Sequence, residues 1–134
     1  MTMLGSSFLR LNCPARPESA KPIRHAVAAF LAVFDLDPDF SDDVLTATGE
    51  ALANAIEHAY AGTDPADVEI HAAYEESRRL LIEVYDRGRF IERDRQPNRG
   101  FGIRIVKAIA ADVRIDTDDG TTVSMEFRPP VRRH

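Results

Sequence analysis

The chain has 134 residues, of which 44% are hydrophobic and 29% charged, and this composition is ordinary for one globular domain and unlike that of a disordered segment. A formal net charge of −5 gives no general reason to expect nucleic-acid binding. No apolar run approaches the roughly 20 residues of a membrane span. Residues 1–10 show no secretion signal. Cys13 is the single cysteine, which excludes an intramolecular disulfide and a cysteine-based zinc site and is consistent with a reducing cytoplasm.

The first half of the chain predicts one strand followed by two amphipathic helices. A short apolar run at residues 8–11, closed by prolines, is typical of a strand. Apolar residues then recur at three- and four-residue steps, which predicts a helix with Ser19 as its N-cap and an end near residues 35–38. A second helix is predicted from Ser41 to about Ala61, with acidic residues at its positive end.

The second half predicts two hairpins separated by a loop and a helix. The arginine-rich stretch 87–99 has no apolar period, which indicates a mobile loop, and Asp118-Asp119-Gly120 is a good hairpin turn. The predicted strands, marked by alternating apolar residues, are 68–74, 80–84, 113–115 and 123–127, and the predicted helix is 101–111.

This order of elements has too few strand–helix alternations for a doubly wound parallel sheet. It predicts an α+β fold, a two-layer sandwich in which helices cover one face of a mixed, mostly antiparallel sheet. The other face of the sheet is left to solvent or to a partner. We expect residues 1–134 to form a single domain.

The second helix carries unusual polar residues in its C-terminal half. Asn54 is a mediocre helix former, and it lies in mid-helix one turn after the carboxylate of Glu50. Helix propensity does not explain this position. A carboxylate and an amide oxygen stacked in this way suit proton abstraction and metal binding. At about 100° per residue the polar and the apolar residues separate. Glu50, Asn54, Glu57 and His58 fall on one side, and Leu45, Leu52, Ile56 and Ala59 fall on the other.

Two glycine-containing segments bracket the arginine-rich loop, Asp86-Arg87-Gly88 at a strand end and Gly100-Phe101-Gly102 at a helix start. Glycines at a helix start let the backbone approach a phosphate, whose charge is stabilised by the free amides and the helix dipole. Taken alone, Gly100 is equally consistent with an ordinary helix start, and Asp86 with a turn at a strand end.

Ordered together, these segments resemble the nucleotide-binding fold of the GHKL superfamily, which includes gyrase, histidine kinases, heat-shock chaperones and mismatch-repair ATPases. Residues 50–58 resemble the asparagine box, 86–88 the first glycine box, 100–102 the second and 120–122 the last. The small size, the helix pair before the asparagine box and the short lid resemble the bacterial anti-sigma factor serine kinases most. No phosphoacceptor-histidine helix precedes the motif, which argues against a complete histidine kinase.

The resemblance implies a role for each of these residues. Asn54 would hold the Mg²⁺ that bridges the ATP phosphates, Glu50 would take the proton from a substrate hydroxyl, and Asp86 would bind the adenine amino group. His58 would lie beside the pocket, where a purely structural hydrogen bond is the alternative, and Arg99 would contact phosphate or a partner unless it is simply solvated. The remaining nucleotide-binding positions would be Gly88, Gly100, Gly102 and Thr121 or Thr122.

The function that this resemblance implies is an ATP-dependent protein-serine/threonine kinase that is also an anti-sigma factor. It would bind Mg-ATP, phosphorylate an anti-anti-sigma antagonist of the STAS type, sequester a sigma factor and form a homodimer. Phe90 stands where many relatives carry a second glycine in the first glycine box. This departure favours an alternative, a non-catalytic or weakly ATP-binding module that regulates by sequestration. A kinase in a signalling pathway without a sigma factor is the third candidate.

Overall fold

The computed structural model describes residues 6–60, 67–87 and 100–130. Within these ranges no helix is long and apolar enough to cross a membrane. Eight elements follow one another in the predicted order, with a short 3₁₀ turn at Pro17–Ser19 before the first helix. They are β1 (Ser6–Pro14), α1 (Ala20–Ala32), α2 (Pro38–Tyr60), β2 (Asp67–Glu75), β3 (Arg79–Asp86), α3 (Gly100–Ile109), β4 (Asp112–Asp116) and β5 (Thr121–Phe127).

The described strands form one five-stranded sheet in the order β1-β2-β3-β5-β4, and each neighbouring pair is antiparallel. Alternate residues of the three central strands are buried, as expected when one face of a sheet is covered and the other is open. The predicted two-layer α+β architecture is therefore confirmed.

The core lies between the covered face of the sheet and the three helices. Burial of apolar surface at these positions is the main source of stability. The largest fully buried side chains come from α1, α2, α3 and the three central strands: Phe127, Ile23, Leu52, Ile70, Leu80, Ile82, Met125, Val27, Val44, Val68, Val84 and Val106.

The second helix begins earlier than predicted. It starts at Pro38 instead of Ser41, and the backbone N–H of Phe40 donates to the Oδ2 atom of Asp37 at 3.2 Å. Proline is favoured in the first turn of a helix because it has no N–H group to leave unpaired. An aspartate before it accepts a hydrogen bond from one of the free backbone N–H groups. The Asp37-Pro38 pair therefore sets the start of α2.

The third helix ends slightly before its predicted end at Ala111. The last helical residue is Ile109, and the N–H of Ala110 still donates to the carbonyl of Val106 at 2.8 Å. The next amide, that of Ala111, donates instead to the carbonyl of Glu126 in β5 at 2.8 Å. The helix ends here because the next backbone N–H group forms its hydrogen bond with the sheet instead of with the helix.

Ion pairs join the strands at the end of the sheet near the β2–β3 turn. Arg79 pairs with Glu75 across that turn and with Glu126 in β5, and its hydrogen bond lowers the pKa of Glu126. Arg78, whose φ is 62°, donates from Nη2 to the carbonyl oxygen of Pro130 at 2.8 Å. These contacts tie β3 to β5, the two strands whose opposite ends carry Asp86 and Thr121.

Candidate functional site

The helix α2 separates into a buried and an accessible side, as predicted from its sequence. Glu50 and Asn54 are half-buried, and Glu57 is exposed. Residues four apart on a helix have neighbouring side chains, with about 5–6 Å between their Cβ atoms, so the carboxylate of Glu50 and the amide of Asn54 can act on one ligand. The side of α2 that faces the core carries Val44, Ala47, Thr48, Ala51, Leu52, Ala55 and Ile56.

The beginning of α3 supplies a second component of the site. Helix α3 packs against α2 and begins at Gly100, so that Gly100 and Gly102 both lie in its first turn. The first four backbone N–H groups of a helix have no partner within the helix and carry the positive end of its dipole. This turn can therefore bind an anion, and small residues there leave room for it.

Asp86 lies at the end of β3 and is only 1% exposed. It is paired with Val68 of β2 on one side and with Thr121 of β5 on the other. A residue that merely forms a turn at a strand end would be exposed, and burial of a carboxylate is costly unless it has polar partners. The buried position of Asp86 inside the sheet is therefore unlike that of an exposed turn former at a strand end.

The structure distinguishes between the two candidate threonines. Thr121 is directly opposite Asp86 in the sheet, is 2% exposed, and its hydroxyl has no hydrogen-bond partner among the described residues. Thr122 is paired with Tyr85 and is half-buried on the opposite face. Because directly opposed residues share a face, Thr121 lies beside Asp86 and Thr122 does not.

A further buried hydroxyl was not predicted. Thr48 lies on the core side of α2, is 0% exposed, and its Oγ1 atom also lacks a hydrogen-bond partner in the described ranges. Buried polar atoms are nearly always paired in folded proteins, so this hydroxyl is an exception within the core. The only sequence signal was a polar residue among the apolar positions of the core side.

Gly120 brings the β4–β5 turn against the end of β3. Its φ is +74°, and a Cβ atom built on it would lie 2.3 Å from the carbonyl oxygen of Asp86 and 3.0 Å from the Cα atom of Arg87. Neither the backbone conformation nor the space tolerates a side chain. Gly120 therefore allows the close approach that places Thr121 next to Asp86.

Gly120→Ala is expected to destabilise the protein by about 1–3 kcal/mol and to weaken nucleotide binding, because relief of the clash moves the backbone of Asp86. Thermal unfolding and calorimetric titration with ATP measure the two effects. Gly49→Ala is the matched control, since a Cβ atom there would meet only the side chain of Arg24 at 3.8 Å. Equal nucleotide affinity in Gly120→Ala and the wild type would contradict this role.

Several predicted positions lie outside the described residues. These are Gly88, Phe90, Arg99 and the side chain of His58. Among the residues that are described, no three histidine, cysteine, aspartate or glutamate side chains cluster to hold a metal ion. A magnesium ion that keeps waters and phosphate oxygens as ligands needs no such cluster, so one amide oxygen from Asn54 is a sufficient protein ligand.

The described residues fit a magnesium nucleotide. The unpaired hydroxyl of Thr121 beside the buried carboxylate of Asp86 offers the acceptors that an adenine amino group requires. The first turn of α3 offers amides for phosphate, and α2 offers the oxygen atoms of Glu50 and Asn54. Together these groups lie on neighbouring elements and have the chemistry that a base, phosphates and a metal ion require.

The fold and this arrangement of groups define a class of ATP-binding domain, and comparison of the sequence with protein families agrees. The family described as the histidine kinase-like ATPase domain matches residues 13–127. The chain therefore belongs to the histidine kinase-like ATPase family, and the resemblance to the GHKL anti-sigma factor kinases is confirmed.

Relatives with assigned functions are similar along most of their length. The serine-protein kinase RsbW of Bacillus licheniformis is 27% identical over 136 residues, covering 90% of this chain and 84% of that protein. The anti-sigma F factor of Clostridium beijerinckii is 28% identical over 129 residues, covering 87% of this chain and 90% of that protein.

A solved structure agrees with the fold. The RsbU and RsbW domains of Rv1364c from Mycobacterium tuberculosis superimpose with a TM-score of 0.73 at 25% identity. The match covers 92% of this chain but 32% of that longer chain. The present chain therefore spans about a third of that two-domain structure.

Proposed function

We propose that this chain is an anti-sigma factor and a protein-serine kinase that binds Mg-ATP, phosphorylates an anti-anti-sigma protein of the STAS type and sequesters a sigma factor. The names of the relatives support the kinase and anti-sigma assignments. The observation that carries the nucleotide part is the buried pair of Asp86 and Thr121 at the end of β3.

Each residue takes the role that the resemblance to the GHKL superfamily implies, and each role has a physical reason. ATP would supply the phosphoryl group, and a bound Mg²⁺ would neutralise the charge of its phosphates. Asn54 would hold the metal through its amide oxygen, and the carboxylate of Glu50 would accept the proton of the partner's serine hydroxyl. Asp86 accepts a hydrogen bond from the adenine amino group, with the hydroxyl of Thr121 beside it. Gly88 would let the base approach the backbone, and Gly100 and Gly102 would hold the lid and the phosphates. Arg99 would contact phosphate or a partner, with His58 adjacent.

Phosphorylation would switch the affinity of the partner. A phosphoserine adds about two negative charges at neutral pH, which can break a protein interface by repulsion and by the cost of desolvation. Release of the phosphorylated partner would leave the kinase available to the sigma factor.

We further propose that residues 1–134 form a single ATP-binding domain that works as a homodimer in the cytoplasm. Its partners are proteins, and it contacts neither nucleic acid nor a membrane directly. The negative net charge and the single cysteine support this setting.

Two alternatives have specific motivations. A partner-switching module without catalysis is favoured by Phe90, which replaces a glycine of the first glycine box. This module predicts either no saturable ATP site or binding without turnover. A kinase of a pathway that does not control a sigma factor shares all the proposed site residues, so only the identity of its partners distinguishes it.

The experiment that tests the proposal incubates the purified chain and Mg-ATP with each STAS-type antagonist encoded beside it in its genome. Intact-mass measurement and peptide mapping then locate any phosphoserine. We expect one antagonist to be modified at a single serine and to lose affinity for the kinase. If every antagonist stays unmodified while ATP binds, the sequestration module replaces the kinase as the proposed function.

A further inference from the structure

The connection between α1 and α2 carries an exposed apolar side chain on a rigid backbone. Val33, the C-cap residue of α1, is 75% exposed. The ring of the next residue, Phe34, lies with its centroid 4.3 Å from that of Tyr74 in β2. Phe40, in the first turn of α2, packs edge-on against Phe127. Because these ring contacts hold the chain on the C-terminal side of Val33, the apolar surface there is preformed, and a partner need not order it.

Aspartates follow this apolar residue within ten positions. Residues 35–43 contain five aspartates, and residues 25–77 contain no lysine and no arginine. Asp39, Asp42 and Asp43 lie in the first two turns of α2 and are exposed. We call the surface formed by Val33 and these three aspartates the acidic corner.

The stability of α2 does not explain this concentration of charge. Asp37 already accepts a hydrogen bond from the first turn of the helix. The helix dipole favours acidic side chains only within the first turn, and Asp42 and Asp43 lie beyond it. Asp39 stands three residues before Asp42 and four before Asp43, and like charges at these spacings destabilise a helix. The exposed carboxylates of the second turn therefore lower the stability of α2, which favours a role in binding.

The arginines of the neighbouring turn have partners of their own. The contact between Phe34 and Tyr74 places the acidic corner at the end of the sheet where the β2–β3 turn lies. In that turn, Arg78 donates to a backbone carbonyl oxygen. Arg79, the first residue of β3, pairs with two glutamates. The acidic corner therefore offers a partner both apolar surface and negative charge.

We propose that the acidic corner binds a basic, DNA-contacting segment of the sigma factor and so withholds that segment from DNA. This inference rests on the proposed function, because it gives a surface to the sigma factor that the chain sequesters. The charge of the corner is of the wrong sign for nucleic acid or for an anionic membrane surface. A protein segment that contacts DNA carries lysine and arginine to neutralise phosphates, so its charge is complementary to the corner.

The apolar part of the corner suits the same partner. Lysine and arginine side chains have apolar stems that cover apolar surface while their charged ends stay in water. Such stems can pack on Val33 while the charged ends pair with the carboxylates of Asp42 and Asp43. A basic segment thus uses both components of the acidic corner, and the sigma factor that occupies it has fewer cations left for DNA.

The acidic corner lies far from the residues of the proposed reaction. Tyr74 and Val68 are about 20 Å apart along β2, and Val68 is paired with the buried Asp86. Asp42 lies about 18 Å along α2 from Asn54. Binding of the sigma factor at the corner can therefore be measured separately from nucleotide binding and phosphoryl transfer.

Charge reversal in the acidic corner tests the inference. The double variant Asp42→Lys/Asp43→Lys and the wild type are titrated, in Mg-ATP, with each purified sigma factor encoded in the same genome. We expect the affinity of the double variant to be at least about tenfold lower, with a weaker dependence on salt. Val33→Ser should lower the affinity at least about threefold through loss of apolar contact. A DNA duplex that lacks a promoter should compete with the wild-type chain for the sigma factor.

Glu18→Lys/Asp112→Lys is the matched control. It makes the same change in net charge at two exposed positions outside the acidic corner. Its affinity for the sigma factor should stay within about twofold of the wild type, because charges beyond a Debye length of about 8–10 Å are largely screened. Circular dichroism verifies folding, and both double variants should bind Mg-ATP like the wild type. The corner variant should also phosphorylate the antagonist at the wild-type rate.

The outcomes are distinct. Loss of affinity in the two corner variants, with wild-type behaviour of the control and competition by DNA, supports the inference. Sigma-factor binding that is equal in the wild type and the corner variants, equal losses in the corner and control variants, or binding that DNA does not affect would each overturn it. A wild type that binds no sigma factor would overturn both the inference and the anti-sigma part of the proposed function. Corner-dependent sigma-factor binding without ATP binding or phosphorylation would support the inference and count against the kinase part alone.

Discussion

Glu50→Gln is expected to bind Mg-ATP like the wild type but to phosphorylate its partner about 10²–10⁴-fold more slowly, because an amide cannot accept the serine proton. Glu50 is half-buried on the polar side of α2 and outside the core, so the free energy of unfolding should change by less than about 0.5 kcal/mol. Single-turnover phosphorylation and calorimetry measure the two quantities.

The matched control for Glu50 is Glu57→Gln, two turns further along the same side of α2 at an exposed position. It should retain the wild-type rate. Equal rates in Glu50→Gln and the wild type would remove Glu50 from the proposed mechanism. Loss of ATP binding in Glu50→Gln would instead assign this carboxylate to the nucleotide site.

Asp86→Asn is expected to weaken ATP binding by about 10–100-fold, the factor that corresponds to one hydrogen bond of a charged group, or about 1.5–3 kcal/mol. The asparagine keeps the shape of the side chain and one acceptor oxygen, but it loses the negative charge, and its second polar atom is a donor. The variant should also lose the preference for ATP over inosine triphosphate, which lacks the amino group. Competitive titration with both nucleotides measures this preference.

Asp112→Asn provides the control for Asp86, because Asp112 is an exposed aspartate at the start of β4 and pairs with Arg114. Its affinity for both nucleotides should match that of the wild type. A preference for ATP that survives unchanged in a folded Asp86→Asn protein would show that another group recognises the base.

The strands were predictable because the sheet has one covered and one open face. Alternating apolar residues in β2, β3 and β5 report that asymmetry directly, and the structure has the predicted hairpins at these positions. The start of α2 was predicted wrongly because the apolar period becomes regular only after Ser41. The helix instead begins where Asp37 and Pro38 satisfy its first turn.

The two sides of the α2 polar motif were predictable because helical periodicity is local. The choice between Thr121 and Thr122 was not, since it depends on which of them lies opposite Asp86, a pairing between strands distant in sequence. The close approach of Gly120 to the backbone of Asp86 was not predictable for the same reason, because it joins segments that are distant in sequence. Thr48 was missed because a single hydroxyl among apolar residues does not alter the period.

The measurement that tests the central claim most directly is calorimetric titration of Mg-ATP into the wild type and into Asn54→Ala. Asn54 is half-buried and outside the core, so the variant should fold normally. We expect saturable binding by the wild type and a loss of at least about tenfold in the variant, since removal of the amide oxygen deprives the metal of its protein ligand. Absence of binding by the wild type, or equal binding by both proteins, would contradict the nucleotide site that we infer.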